Sequence, residues 1–415
     1  MTALRELWAL RGRRPAFVAG SLALLALLFA YPALQWWLSS IGVEGGLDYF
    51  DLGAYRTAVD NWQAGEPLYV EADDGGYHGS YLYPPVYVLL FWPVSTLAFD
   101  TAGHLWNLGS LLVLWLGLQA AVAAYGLRLA VYERGLLLWA IVGFQPVIIA
   151  VRLAQVTVLL AGLLSFALAA LVYAERQDDG RAQFASGVAT ALGGTMKLTY
   201  APAGAHLLAE RRRFVGAVAT GLVLLAVSLA VFGVDAHRAY LDVLTWGKDW
   251  GEGSRHPRAW GPAYFRPLWV VDGPVALAAR VGVAGGVAVL TVLAAGRGVE
   301  AETFALGVAA IPLLAPRAYT QDLVVLLPVV VVLLASELRR HEGRPVVPVI
   351  GLGLVALHAH GLYAMVSVLP GRVPGGELVA EVSPALQPGL WGTLLLVGLA
   401  GWRVAEAVSI RRLEF

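Results

Sequence analysis

The sequence predicts an all-α bundle of membrane-spanning helices, about twelve of them, with no soluble domain of any size. Three observations predict it. The chain is 58% hydrophobic and 14% charged, whereas a soluble domain carries about 25% charged residues. Apolar runs long enough to cross a bilayer recur along its whole length. Arginines gather in alternate loops between those runs.

The first run, 16–38, follows Arg5, Arg11, Arg13 and Arg14. It is longer than the apolar stretch of a signal peptide and has no small-x-small cleavage site, so it reads as a retained helix. A span needs about 20 apolar residues. Further candidates are 84–98, 102–125, 135–151, 155–174, 184–208, 214–233, 275–296, 301–315, 321–337, 345–368 and 389–409. The short runs 84–98 and 301–315 fit tilted, broken or re-entrant segments.

Basic residues mark cytoplasmic loops. The N-terminal arginines place that terminus inside. Twelve spans then also put Arg211–Arg213, Arg339, Arg340, Arg344, Arg411 and Arg412 inside. Loop 39–83 falls outside and carries eight carboxylates against one Arg. Without a crossing at 84–98, Arg211–Arg213 would face outside. Arg152 and Gln155 fall at an inside turn, where Arg152 reads as a positive-inside anchor. The expectation is one integral membrane domain, 1–415, with both termini cytoplasmic. Spans 2–7 occupy 84–233, and spans 8–12 occupy 275–409. A second long outside loop, 234–274, lies between them.

Composition excludes some classes. The net charge is +0, so nothing points to nucleic acid. With no Cys there are neither disulfides nor thiolate metal sites. Lys197 and Lys248 are the only lysines beside many arginines, a bias that fits a GC-rich, bacterial or archaeal source. The 14 Trp and 16 Tyr suit membrane interfaces. No Asp-x-Asp or His-x-x-x-His pair appears, so neither an obligatory metal nor a cofactor is expected. His358 and His360 lie on different faces of one helix and receive no role. Oligomeric state is not legible.

In the first outside loop, Leu52, Tyr55, Val59 and Trp62 fall on one helical face, with Arg56 and Asp60 on the other. Such a helix lies in the membrane interface. Asp51 stands at its start, either as an N-cap or as a general base at the outer membrane face; Asp48 is its rival.

Several short motifs in order resemble the family 87 glycosyltransferases. They are Asp51-Leu52-x-x-Tyr55-Arg56, Gly65-x-Pro67-Leu68-Tyr69, Tyr83-Pro84-Pro85-x-x-x-Leu89-Leu90-Phe91-x-Pro93 and Trp106-Asn107. Ala154-Gln155-Val156-Thr157, Lys197-Leu198-Thr199-x-x-Pro202 and Ala315-Pro316-Arg317-x-Tyr319-x-x-Asp322 follow. These are membrane enzymes of the GT-C superfamily, typified by polyprenyl-phosphate-mannose-dependent α-mannosyltransferases. Two elements depart from the pattern. Gln321 and Asp322 stand where many relatives carry His, and the Gln155 element lacks its Gly and Asn.

The resemblance implies inverting transfer of mannose or a similar sugar from a polyprenyl-phosphate donor to a hydroxyl of an extracytoplasmic glycan or glycolipid. It implies Asp51 as the base. Charge developing on the leaving phosphate needs cations, and ionisable residues in or near spans are the candidates. These are Lys197 and Arg317, the latter beside Tyr319 and Asp322, with which it could instead form a structural pair. Tyr83 belongs to a matched motif, and His256 and Arg258 are the choices from the second loop. The alternative is a transporter or flippase of lipid-linked sugars or another solute, though such proteins favour inverted repeats and short loops.

Overall fold

In the computed structural model the chain is described over residues 3–41, 46–73, 76–77, 79–249, 264–265, 274–315 and 318–410. Helices dominate. In order they are α1 Ala3–Ala9, α2 Pro15–Ser40, α3 Phe50–Ala64, α4 Val88–Ser95, α5 Phe99–Ala124, α6 Val131–Val142, α7 Gln145–Leu153, α8 Thr157–Gln177 and α9 Gly180–Met196. A 3₁₀ segment, Leu198–Ala209, leads into α10 Arg211–Asp249, α11 Pro274–Ala294 and α12 Glu300–Leu314. Another, Thr320–Val325, precedes α13 Leu326–Arg339, α14 Val346–Ala356, α15 His358–Tyr363, α16 Gly376–Leu386 and α17 Pro388–Ile410. The strands β1 Tyr264–Phe265 and β2 Ala318–Tyr319 pair antiparallel.

The chain is thus an all-α polytopic membrane protein, and the count of twelve spans is not confirmed. Among the described residues seven helices are long and apolar enough to cross, or nine if the bent pairs α6–α7 and α14 with 358–368 each count as one. Three expected spans differ. Segment 84–98 forms only the short α4, which packs on α3. Segment 301–315 forms α12, whose 15 residues reach about 22 Å. Segment 184–208 breaks at Lys197, whose backbone is extended at φ −128°, ψ 104°. Gly193 and Gly194 weaken the helix before the break, and Pro202 removes a backbone donor after it.

The two limbs around Lys197 form a hairpin. The α9 start and the end of the 3₁₀ limb meet: Gly180 abuts the Arg212 side chain, and Arg213 donates to the His206 carbonyl at 3.3 Å. Both limbs therefore leave from one end of the bundle and point Lys197 at the other. Neither 84–98 nor the hairpin carries the chain to the other side, and these two missing crossings cancel in sense. Arg211–Arg213 consequently remain at the same end as Arg14.

That end is built on arginine. Arg14 donates to the carbonyls of Glu337 and Arg340. Arg403 donates two bonds, of 2.5 and 2.7 Å, to the Glu337 carboxylate, and both side chains are buried. Removing one partner of such a pair costs about 3–5 kcal/mol. Arg339 and Arg176 cap α5 through the carbonyls of Tyr125 and Ala124.

The opposite end carries α3. Its face of Leu52, Tyr55 and Val59 is buried, as its periodicity predicts, and Gly65 ends it in a left-handed conformation, φ 74°. The Asp48 and Tyr49 N–H groups both donate to the Arg152 carbonyl. Arg152 and Gln155 therefore share the end of loop 39–83, which corrects their expected placement at an inside turn. The reason is again 84–98: because α4 does not cross, α5 and the α6–α7 pair each run in the sense opposite to that expected.

Gly307 is where α12 meets the 3₁₀ limb. A Cβ there would stand 2.1 Å from the Pro202 carbonyl oxygen, a backbone atom that cannot turn aside. Overpacking of this kind costs about 1–3 kcal/mol. Gly307→Ala is therefore expected to lower the unfolding temperature of the detergent-solubilised protein by several degrees; an unchanged midpoint contradicts the close packing.

Candidate active site

The site forms where the first loop, the hairpin tip and the 315–322 segment meet. Tyr49, not Asp51, occupies the N-cap of α3, with left-handed φ 49° and no side-chain cap bond. Asp48 supplies the local cap instead: its Oδ1 accepts the Phe50 N–H at 3.3 Å, and its Oδ2 lies 3.8 Å from Arg152 Nε. The cap reading of Asp51 is thus corrected. The helix start is satisfied from position 48, and Asp51, one turn further in, lines a cavity of about 480 Å³.

The same cavity is lined by Tyr83, Gln155, Lys197, Tyr319 and Asp322. Residues far apart in sequence thus converge on one space, most of whose remaining wall is apolar. Lys197 Nζ donates to Asp322 Oδ1 at 2.5 Å, and Asp322 Oδ2 accepts the Tyr319 N–H at 2.9 Å. One carboxylate therefore closes the turn into Thr320–Val325 and holds the hairpin tip. An ammonium has three donors, so Lys197 keeps capacity for a further acceptor. β1 pairs Tyr264 with Tyr319, bringing part of loop 234–274 to this edge.

A ring cluster fixes the floor. Tyr55 stacks on Phe91 with centroids 4.1 Å apart and meets Tyr83 and Trp106 edge-on. Gln155 Nε2 donates to the Tyr83 hydroxyl at 3.3 Å, and Gln155 Oε1 accepts the Thr157 N–H. Tyr69 donates to the Tyr83 carbonyl at 2.7 Å. Asn107 donates to the Val151 carbonyl, tying α5 to the turn below. Arg56 donates to the Leu97 carbonyl, a packing role.

The roof comes from residues 234–249. α10 breaks its helical geometry at Gly233, φ 72°, ψ 179°. Beyond that break Tyr240, Val243, Leu244 and Trp246 line the cavity, and Tyr240 stacks on Tyr69. None of these four is a candidate from the sequence; the signal for them is the amphipathic spacing 240, 243, 244.

Asp51 is set up electrostatically. Burial pushes its carboxyl up to about 7; Lys197 opposes this, while Asp322 and Asp48 add to it. Asp48 is half-exposed and does not line the cavity. His358 and His360 sit apart: the Gly389 N–H donates to His358 Nδ1, and His360 packs on Tyr31. Among the described residues no group of three or more His, Asp or Glu could hold a metal ion. Arg317, His256 and Arg258 lie outside the described residues.

Two comparisons return nothing: no curated protein and no solved structure matches the chain. The sequence pattern of glycosyltransferase family 87 matches residues 81–316. That stretch includes Tyr83, Gln155 and Lys197, and Asp51 and Asp322 flank it. Since the match covers more than half of a chain whose helices form a membrane bundle around one polar cavity, the protein is a membrane glycosyltransferase and belongs to glycosyltransferase family 87.

Proposed function

We propose that the protein moves a sugar, mannose or similar, from a polyprenyl-phosphate donor to a hydroxyl of an extracytoplasmic glycan or glycolipid, with inversion. The observation that carries this reading is the sharing of one cavity by a carboxyl raised to about 7 and a paired lysine. In this reading Asp51 takes the acceptor hydroxyl proton as the oxygen attacks the anomeric carbon. The bond from that carbon to the phosphate oxygen breaks, and the phosphate leaves with its charge facing Lys197. Asp322 holds Lys197 in place, and Tyr83 and Tyr319 flank the sugar. Arg317, His256 and Arg258 remain candidates for donor or acceptor contact. The route uses neither a cofactor nor an obligatory metal.

The apolar wall of the cavity suits the first isoprene units of the donor. The placement follows the loop charges: the basic end around Arg14, Arg340 and Arg403 faces the cytoplasm of a bacterial or archaeal cell membrane. Both termini are placed there, which has α12 cross as well, with Glu302 bonded by Ser336 near the basic end and Ala315 lining the cavity; the cavity opens to the opposite face.

Asp51→Asn is expected to lower sugar transfer by about 10²–10⁴-fold while leaving the thermal unfolding midpoint unchanged. Wild-type turnover by that variant in reconstituted membranes sinks the assignment of the base. Only the ionised carboxylate is a base, so with the group at about 7 roughly a tenth is active at pH 6. The kcat/KM profile should therefore fall with unit slope below about pH 7; a flat profile down to pH 5 contradicts it. Lys197→Met should raise the donor KM by about tenfold to a hundredfold, the range for a charged hydrogen bond of about 1.5–3 kcal/mol. An equal loss toward donor and acceptor argues against phosphate binding by Lys197.

A further inference from the structure

A second cavity of about 310 Å³ lies behind the first, between α2, α5, α6 and α7. Its walls are largely apolar, from Leu111, Val142, Val147 and Ile148, and among the described residues its one charged lining residue is Arg152. The two cavities are back to back: Val151 and Arg152 line this one, while Leu153 and Gln155 line the other. Trp36 stands at the rim, 73% exposed, as an interfacial aromatic does.

Arg152 is held loosely. Its nearest acid is Asp48, at 3.8 Å from Nε, and that buried Nε has no hydrogen-bond partner. Its side chain is a third exposed. An arginine fork matches phosphate oxygens through paired N–H donors. Beside an apolar slot between membrane helices, such a guanidinium offers paired donors to a lipid phosphate while the slot takes its chain.

We propose that this cavity binds one anionic phospholipid of the bilayer, its phosphate on Arg152 and one acyl chain against Leu111, Val147 and Ile148. The site is separate from the sugar donor. A phosphate on Arg152 competes with Asp48, which is left to its other bond, the cap on the Phe50 N–H. Because the Arg152 carbonyl holds the N–H groups of Asp48 and Tyr49, the lipid buttresses the start of the helix that carries Asp51. This last consequence rests on Asp51 being the base; the lipid site itself does not.

The test uses the full chain in nanodiscs of phosphatidylcholine into which phosphatidylglycerol is titrated. Lipid retained on release is counted by native mass spectrometry, and the unfolding midpoint is followed. A ligand that binds only the folded state raises that midpoint as it saturates. Expected are one retained phosphatidylglycerol per chain, a rising midpoint, and loss of both in Arg152→Gln. Ile148→Trp, which fills the slot and leaves the arginine, should also lose the retained lipid and covers the case in which Arg152→Gln does not fold. Asp51→Asn should keep lipid and shift alike, which separates this site from the transfer chemistry. Equal retention of phosphatidylcholine, or retention unaffected by both cavity variants, overturns the proposal. So does displacement of the lipid by added polyprenyl phosphate, which would make the cavity part of the donor site.

Discussion

A charge cannot be left alone inside an apolar bundle, and the ion pair of Lys197 with Asp322 is how this chain meets that constraint. The rest of the site depends on it. The helix through residue 197 must break so that the side chain can reach Asp322, and the break turns an expected span into a hairpin. Asp322 must present one oxygen to the lysine and the other to the Tyr319 backbone, which fixes the turn after α12. The same pair sets the field at Asp51, with the lysine and the aspartate pulling its carboxyl in opposite directions.

What was legible in the sequence follows the range of the interaction concerned. The buried face of α3 is a local periodicity, and Leu52, Tyr55 and Val59 show it without ambiguity. The membrane character is a sum over many residues and is equally robust. The convergence of Asp51, Tyr83, Lys197 and Asp322 was reachable because those residues sit in motifs with a family order. In the local spacing Asp51 reads as a cap or as a base, and only the left-handed Tyr49, which the spacing does not show, gives the cap to Asp48.

Topology was harder. Hydropathy cannot tell 84–98 and 184–208 from crossings, because both are apolar; the distinction lies in Pro93, Pro202 and the Gly193-Gly194 step, and in which partners the broken ends find. The loop-charge argument still located Arg211–Arg213 at the end of the N-terminal arginines, because two errors of one crossing each cancel. Its failure shows at Arg152, which lies between them along the chain.

The roof and the floor of the cavity are held by different forces. Below, an ion pair and directed hydrogen bonds hold the groups in place. Above, residues 240–246 grip the first loop through ring faces, Tyr240 on Tyr69 and Trp246 edge-on to Tyr77. Ring pairs of this kind add about 0.5–1.5 kcal/mol beyond the area they bury. Roof and floor are thus separable: the ring pairs above share no residue with the Lys197–Asp322 pair below.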